Sequence, residues 1–358
     1  VNPIAVIGAG PSGLAGARAL ARAGLPFVVF EAADDVGGLW NIDNPRSTVY
    51  ESAHLISSRT TTEFAEFPMD SETDYPGHRE LHRYFREFAD RFGLREHIRF
   101  GRKVTKVEPV DGDATGKSGW LVTTVSAHGD AETSAEATET FSAVVLANGT
   151  LAEPNVPTFA GEFTGEIVHT SAYKSASVFD GKRVLIIGAG NSGCDIAVDA
   201  VHHAASVDLS VRRGYYFVPR YLFGKPADTL NQGRPLPARL KQAFDSRVLK
   251  LFTGDPVKFG FPKPDYKIYE SHPIVNTLVL HHLGQGTSAS CPTSSGSTAR
   301  PCTSRTDAAP TTTSSCSRRA TRSTTRSSTS SSSTGRTRRR RSTSTCSRRR
   351  STGCSCSA

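Results

Sequence analysis

The chain has 358 residues and a formal net charge of +9, a length that as a prior suggests two domains of roughly 100–200 residues each. The positive charge is unevenly placed: the last 72 residues hold 14 Arg and one Asp, leaving 29 basic and 33 acidic side chains, net −4, in residues 1–286. That excludes reading the first 286 residues as a basic nucleic-acid-binding surface, and their single cysteine, Cys194, excludes a disulfide framework, a CxxC redox pair or a cysteine-based zinc site.

No apolar run approaches the roughly 18 residues that span a membrane, and no basic-then-apolar signal opens the chain. A soluble, cytoplasmic protein with no membrane partner and no metal is expected. The first element in chain order is the apolar run Ile4-Ala5-Val6-Ile7, which leads into Gly8-Ala9-Gly10-Pro11-Ser12-Gly13 and a helical pattern through Leu14, Ala17, Leu20 and Ala21. A second apolar run, Phe27-Val28-Val29-Phe30, ends in Glu31. Strand, glycine turn, helix, strand and terminal acid together form a dinucleotide fingerprint. Gly8 makes the tight turn, Gly10 lets the backbone approach a pyrophosphate, Gly13 lets helix pack on strand, and the helix N-terminus, with Pro11 and Ser12, faces the phosphates. Glu31 would accept hydrogen bonds from ribose hydroxyls.

Residues 79–92 place Leu81, Tyr84, Phe85, Phe88 and Phe92 on one helical face, a core-packing pattern. Residues 104–107, 120–126 and 141–146 read as strands, with 111–119 as a turn-rich hairpin loop. Pro154 and Pro157 then interrupt regular structure, and the reading divides the chain into a first nucleotide domain (1–156) and a second (157–286). The second fingerprint is Arg183-Val184-Leu185-Ile186-Ile187 followed by Gly188-Ala189-Gly190-Asn191-Ser192-Gly193 and a helix to about 204. Its second strand ends in Val211, Arg212 and Arg213 rather than in an acid. A guanidinium pairs with a ribose 2′-phosphate that an acid would repel, so the first site suits an adenosine with a free ribose and the second suits NADP(H). An ordinary solvated strand end is the plainer reading of the two arginines. The fold class is α/β, with two Rossmann-like dinucleotide-binding domains. Residues 287–358 contain only Ser, Thr, Arg, Cys, Pro, Ala, Gly and Asp, 39 of them Ser or Thr. Such a tail cannot build a core and is expected to be disordered.

Two further motifs are Gly37-Gly38-Leu39-Trp40 and the run Phe163, Gly165, His169, Tyr173 and Lys174. With the two fingerprints, they resemble the flavin-containing monooxygenases, whose identifying pattern is FxGxxxHxxxYK; all its defined positions match. Tyr173 and Lys174 favour the N- and S-oxygenating branch over the Baeyer–Villiger monooxygenases. The resemblance runs from about Ile4 to about Gly286 and includes Ala147-Asn148-Gly149. It implies FAD on Gly8, Gly10, Gly13, Glu31, Gly38, Leu39 and Trp40, and NADPH on Gly188, Gly190, Asn191, Ser192, Gly193 and Arg212 or Arg213. His169 and Tyr173 would hold the domain interface rather than transfer protons, and Trp40 is otherwise a core aromatic. The implied activity is NADPH-dependent insertion of one oxygen atom from O2 into a soft nucleophilic small molecule at N or S, through a flavin C4a-hydroperoxide. A Baeyer–Villiger enzyme and an NADPH oxidase are the alternatives; a homodimer is compatible with either.

The sequence departs from the family in two places. Members commonly carry an Asn in the segment represented here by residues 53–59, which has none; Ser57 or Ser58 could donate a hydrogen bond from a similar place and are the candidate catalytic side chains. Beyond Gly286 the family should continue into further strands and an ATGY-like segment. A frameshift in a GC-rich gene accounts for the Ser/Thr/Arg composition, because Leu and Val codons ending in C, read one nucleotide late, become Ser codons. The chain as written is then expected to bind FAD weakly and to aggregate, so the implied activity is that of the intact gene and is kept apart from that of this polypeptide. The competing reading is a genuine arm that binds nucleic acid or acidic partners through 338–341 and 348–350.

Overall fold

The computed structural model describes residues 2–110, 119–128, 135–159, 161–231, 237–286 and 289–292. The first apolar run forms strand β1 (Ile4–Ile7), followed by helix α1 (Pro11–Arg22) and strand β2 (Phe27–Phe30), parallel to β1 with Val6 opposite Val29. Pro11 opens α1, where its missing N–H costs no intrahelical bond. A long connection, residues 31–77, contains only the short helix α2 (Arg59–Thr62) and a single 3-10 turn at Gly38–Trp40. Then follow helix α3 (His78–Arg91) and strands β3 (Ile98–Arg99), β4 (Arg102–Val110), β5 (Gly119–Ser126), β6 (Ala137–Phe141) and β7 (Ala143–Leu146).

The parallel sheet has the order β3-β2-β1-β7, and β4-β5-β6 form a separate antiparallel sheet. Strand alternation decides what covers each face. Val6 and Val29 point to the side packed by Leu14 and Ala17 of α1 and by Leu81, Phe85 and Phe88 of α3. Ala5 and Phe30 point the other way, onto Val122 and Phe141 of the antiparallel sheet. The α3 stripe lies where its periodicity put it, except that Phe92 caps the helix and is only partly buried. The run 141–146, expected as one strand, is two: the chain leaves the antiparallel sheet at Phe141, bends at Ser142, whose N–H donates to the Pro3 carbonyl at 3.0 Å, and enters the parallel sheet at Ala143. Phe141 at the end of β6 and Val144 in β7 pack in the same cluster from different sheets, which is why they read as one apolar run. The expected hairpin loop at 111–119 lies almost wholly outside the described residues.

The second fold repeats the first with strand β8 (Arg183–Ile187), helix α4 (Asn191–Val201) and strand β9 (Ser206–Val211), β8 and β9 being parallel. After it come a short hairpin, β10 (Tyr221–Leu222) and β11 (Lys225–Pro226), helices α5 (Ala238–Thr253) and α6 (Leu278–Gln285), and strand β12 (Ala289–Pro292). The sheet order is β12-β9-β8. Ile186, Val207, Leu209 and Val211 are buried on its α4 side, whereas Leu185 and Ile187 on the other side are exposed, as is Leu146 on the edge strand β7 of the first sheet. β12 falls within the segment expected from composition to lack structure. Its parallel pairing with β9 needs only backbone groups, which an open sheet edge supplies whatever the side chains. Residues 293–358 lie outside the described residues.

The two folds follow each other in the chain order expected, but their cores do not divide there. Val49, Tyr50 and Ala53, from the connection after β2, are buried in the second core with Ile186, Cys194 and Leu209. Trp40 packs partly against both cores.

Candidate functional site

Each glycine turn is built from the same contacts. Gly8 has φ +100° and Gly188 φ +106°, a region an L side chain enters only with strain. A Cβ on Gly13 would stand 1.9 Å from the Gly8 carbonyl oxygen, and one on Gly193 would stand 2.1 Å from the Gly188 oxygen, so each helix packs hard on its own turn. Gly10 and Gly190 have extended backbones, φ −72° and −74°, that any residue could adopt. A Cβ on Gly190 would meet nothing within 4 Å, and one on Gly10 would meet only Gly38, at 3.6 Å. Absence of a side chain at these two positions therefore serves open space at the helix N-terminus, where helix N–H groups lack intrahelical partners. In both folds a phosphate-bearing group could approach the backbone there without meeting a side chain on the second glycine. Pro11 and Ser12 begin α1 and Asn191 and Ser192 begin α4.

Glu31 closes the first site, 7 % exposed. Its Oε2 accepts from the Ala9 N–H at 2.6 Å and its Oε1 from the Ala33 N–H at 2.8 Å. An ionised carboxylate has about four acceptor positions, so two remain for ribose hydroxyls. Gly38, Leu39 and Trp40 form the 3-10 turn that lies against Gly10; Gly37 donates to the Ala9 carbonyl at 3.0 Å. Arg212 and Arg213 are both exposed just beyond β9. Arg213 lies near the Tyr215 and Tyr266 rings, 5.5 and 5.4 Å from their centroids, and donates to Ser271 Oγ at 3.2 Å. The Asn191 side chain is used internally: its Oδ1 accepts from the Val275 N–H at 2.8 Å and its Nδ2 donates to the Pro273 carbonyl at 3.3 Å.

The two candidate catalytic hydroxyls are also bonded within the protein. Ser57 Oγ pairs with Thr62 Oγ1 at 2.8 Å, and Ser58, 1 % exposed, donates from Oγ to Asp228 Oδ2 at 2.9 Å. The same Asp228 oxygen accepts from the Ser58 N–H at 2.7 Å and from Thr61 Oγ1 at 2.6 Å. These bonds hold the Asp228 carboxyl below the usual carboxylate range despite its partial burial.

Lys174 ties the second fold to the connection after β2, while the Tyr173 hydroxyl bonds within the second fold and its ring lies beside that of Tyr50, centroids 5.5 Å apart. Tyr173, 4 % exposed, donates to Asp199 Oδ2 at 2.8 Å, and Lys174 Nζ donates to the carbonyls of Ser47 at 2.7 Å and Val49 at 3.0 Å. His169 bonds only locally, to Ser171. Sequence reasoning missed three acids, Asp195, Asp199 and Asp228, each of which grips the connection after β2. Asp195 and Asp199 are four residues apart on α4, a same-face spacing that is visible in the sequence; Asp228 carries no such signal. Among the described residues no group of three or more His, Cys, Asp or Glu could hold a metal ion, and no helix is long and apolar enough to cross a membrane.

Residues 1–277 match the family described as flavin-binding monooxygenase-like. Flavin-containing monooxygenase 5 of Oryctolagus cuniculus is 32 % identical over 307 residues, covering 79 % of this chain and 55 % of the relative. Dimethylaniline monooxygenase [N-oxide-forming] 2 of Pan troglodytes is 36 % identical over 61 % of this chain and 41 % of its own length. Among solved structures, S-allyl-L-cysteine S-oxygenase from Allium sativum aligns with a TM-score of 0.51 and 28 % identity, covering 59 % of this chain and 51 % of that one. The chain thus spans about half the length of the curated relatives it matches.

Proposed function

The chain belongs to the flavin-binding monooxygenase-like family, and from that premise we propose that it binds FAD at the first glycine turn and NADPH at the second, and oxygenates a soft nucleophilic small molecule at N or S. The observation that carries this reading is the pair of like turns with opposite endings: Glu31 after the first, Arg212 and Arg213 after the second. Bound, the two cofactors would supply hydride transfer and the activation of O2. What remains for the side chains is placement. Gly8, Gly10 and Gly13, with the α1 N-terminus, would hold the FAD pyrophosphate and Glu31 its ribose, while Gly38, Leu39 and Trp40 close over the turn. Gly188, Gly190 and Gly193 would hold the second pyrophosphate, Ser192 and Asn191 framing it, and Arg213 or Arg212 the 2′-phosphate. Trp40, packed against both cores, would help keep water from the reacting atoms. The preference for N or S is supported by the N-oxide-forming and S-oxygenating relatives. A soluble, cytoplasmic protein is part of the same reading.

A second reading is favoured by one observation. The Ser57 and Ser58 hydroxyls are already bonded to Thr62 and Asp228, which leaves the Asn-less segment poorly placed to stabilise an oxygenating state, so NADPH oxidase activity would follow. The test is to load the purified chain with FAD and measure NADPH oxidation, O2 uptake and hydrogen peroxide with an aryl methyl sulfide, N,N-dimethylaniline or a cyclic ketone present. Sulfoxide or N-oxide in step with NADPH supports the proposal. Peroxide alone supports the oxidase reading, ester from ketone a Baeyer–Villiger enzyme, and no flavin retention would refute all three for this chain.

A further inference from the structure

Residues 37–53 run from the first glycine turn to the second nucleotide fold, and both ends are fastened. At the near end Gly37 donates to the Ala9 carbonyl at 3.0 Å, and a Cβ on Gly38 would stand 3.0 Å from the Gly10 Cα. At the far end Val49, Tyr50 and Ala53 are buried beside Cys194 and Ala197 of α4. Two carboxylates on one face of α4 grip this end. Asp195 accepts from the Tyr50 hydroxyl at 2.9 Å and from Asn276 Nδ2 at 2.6 Å. Asp199 accepts from the Tyr173 hydroxyl at 2.8 Å and from the Ser52 hydroxyl. The helix that carries both acids is the one whose first turn forms the second glycine site. Any movement of that turn as part of α4 is therefore passed to residues 47–53.

We propose that Tyr50 with Asp195, and Ser52 with Asp199, are positioning residues that make 37–53 a rigid strut between the two glycine turns, with Tyr173 orienting the Asp199 carboxylate from within the second fold. Nucleotide binding at 188–193 is then felt at 37–40, on the floor of the first site. This rests on the reading of the second turn as an NADP site. Hydrogen bonds to a carboxylate are stronger than those between neutral groups, and removing the Tyr50 or Ser52 hydroxyl takes from Asp195 or Asp199 the donor that comes from the strut. Two such anchors one helical turn apart remove the hinge that a single contact would leave. The two acids are given no part in chemistry; with both cofactors bound, they would hold the two glycine turns in a fixed relation, and reaction rates are steeply sensitive to such placement.

The test is hydrogen exchange read by mass spectrometry on the whole chain, with and without millimolar NADP⁺, in wild type, the double variant Y50F/S52A and the control Y84F. The double variant keeps the Tyr50 ring and removes only the two hydroxyls that bond to Asp195 and Asp199. Tyr84 is a fair control because its hydroxyl donates to Phe67 at 2.6 Å and accepts from Phe64 at 2.7 Å within the first core. NADP⁺ is expected to slow exchange at 188–193 in all three proteins, but at 37–53 only in wild type and Y84F. Without nucleotide, 47–53 should exchange about tenfold faster or more in the double variant, as expected for a local opening that has lost its anchors. A merely structural role would lower overall protection and leave the NADP⁺ effect at 37–53 in place. That result, or unchanged exchange at 47–53 without nucleotide, overturns the proposal. If NADP⁺ protects nothing at 188–193 in wild type, the NADP reading of that turn fails, and the nucleotide-free comparison decides whether these bonds hold the strut.

Discussion

Replacing Gly190 and Gly193 by alanine, separately, divides binding from folding at the second turn. In G193A the new Cβ would stand 2.1 Å from the Gly188 carbonyl oxygen and 3.2 Å from its carbon. Gly188 cannot retreat easily, since its φ of +106° already needs glycine. Forced overpacking of this kind costs about 1–3 kcal/mol, and a clash with backbone belongs at the upper end. In G190A the methyl meets nothing within 4 Å and the backbone, φ −74°, suits alanine. Its stability should stay within about 0.5 kcal/mol of wild type or gain slightly from the stiffer unfolded chain. The methyl would occupy the space proposed for the pyrophosphate, so NADP⁺ affinity should fall about tenfold or more, or ~1.4 kcal/mol. Urea unfolding followed by tryptophan fluorescence gives the first quantity and equilibrium dialysis with NADP⁺ the second. A folded G190A protein that binds NADP⁺ within about twofold of wild type would show that this turn does not carry the phosphates. G193A as stable as wild type would show that the helix does not pack on the turn as described.

Three further outcomes are expected. R213A should lower NADP⁺ affinity about tenfold, ~1.4 kcal/mol, with NAD⁺ affinity unchanged, and R212A/R213A should abolish the preference; an unaltered NADP⁺-to-NAD⁺ ratio in the double variant, by competition dialysis, would remove both arginines from the site. Burial, with a smaller push from the neighbouring Asp199 charge, holds the Asp195 carboxyl above the usual carboxylate range, against hydrogen bonds from Asn276 and Tyr50 and the Arg220 charge. A raised carboxyl lets the native state bind the extra proton, so wild-type stability falls as pH rises from about 4 through that raised value; D195N lacks this fall, and its stability relative to wild type should rise across the same window in pH-dependent urea titrations. A flat difference would refute the cause assigned. Finally, translating the coding DNA beyond codon 286 in the other two frames should reveal alternating apolar strands and an ATGY-like segment; if neither frame does, the Ser/Arg arm is genuine and its affinity for nucleic acid should be measured against salt.

Local patterns were readable from the residues. Strand, turn and helix at 4–22 and 183–201 follow from contiguous apolar runs and glycine spacing, and the buried Leu81, Tyr84, Phe85 and Phe88 follow from helical period. The break at Ser142 was hidden because Phe141, the one buried residue of the otherwise polar β6, runs directly into the apolar β7, so the end of one strand and the start of the next read as a single apolar run. β12 was hidden because a sheet edge can recruit a strand through backbone groups alone. At the site, the glycines and Glu31 announce themselves by spacing, as do Arg212 and Arg213 after β9. The grip of Asp195, Asp199 and Asp228 on residues 50–61 does not: the four-residue spacing of Asp195 and Asp199 puts them on one helix face but does not say what they hold, since polar contacts between distant segments leave no periodicity.

The burial of Val49, Tyr50 and Ala53 in the second core also orders events in time. Tyr50 and its partner Asp195 are 145 residues apart in sequence, so a ribosome must deliver β8 and α4 before these side chains have anywhere to go. Until then the emerging chain carries three apolar residues with no core to enter, and closing so long a loop slows the final step. A fragment ending after the first fold would keep that unsatisfied segment permanently, and it is there, rather than in its own sheet, that a chaperone would find its handle.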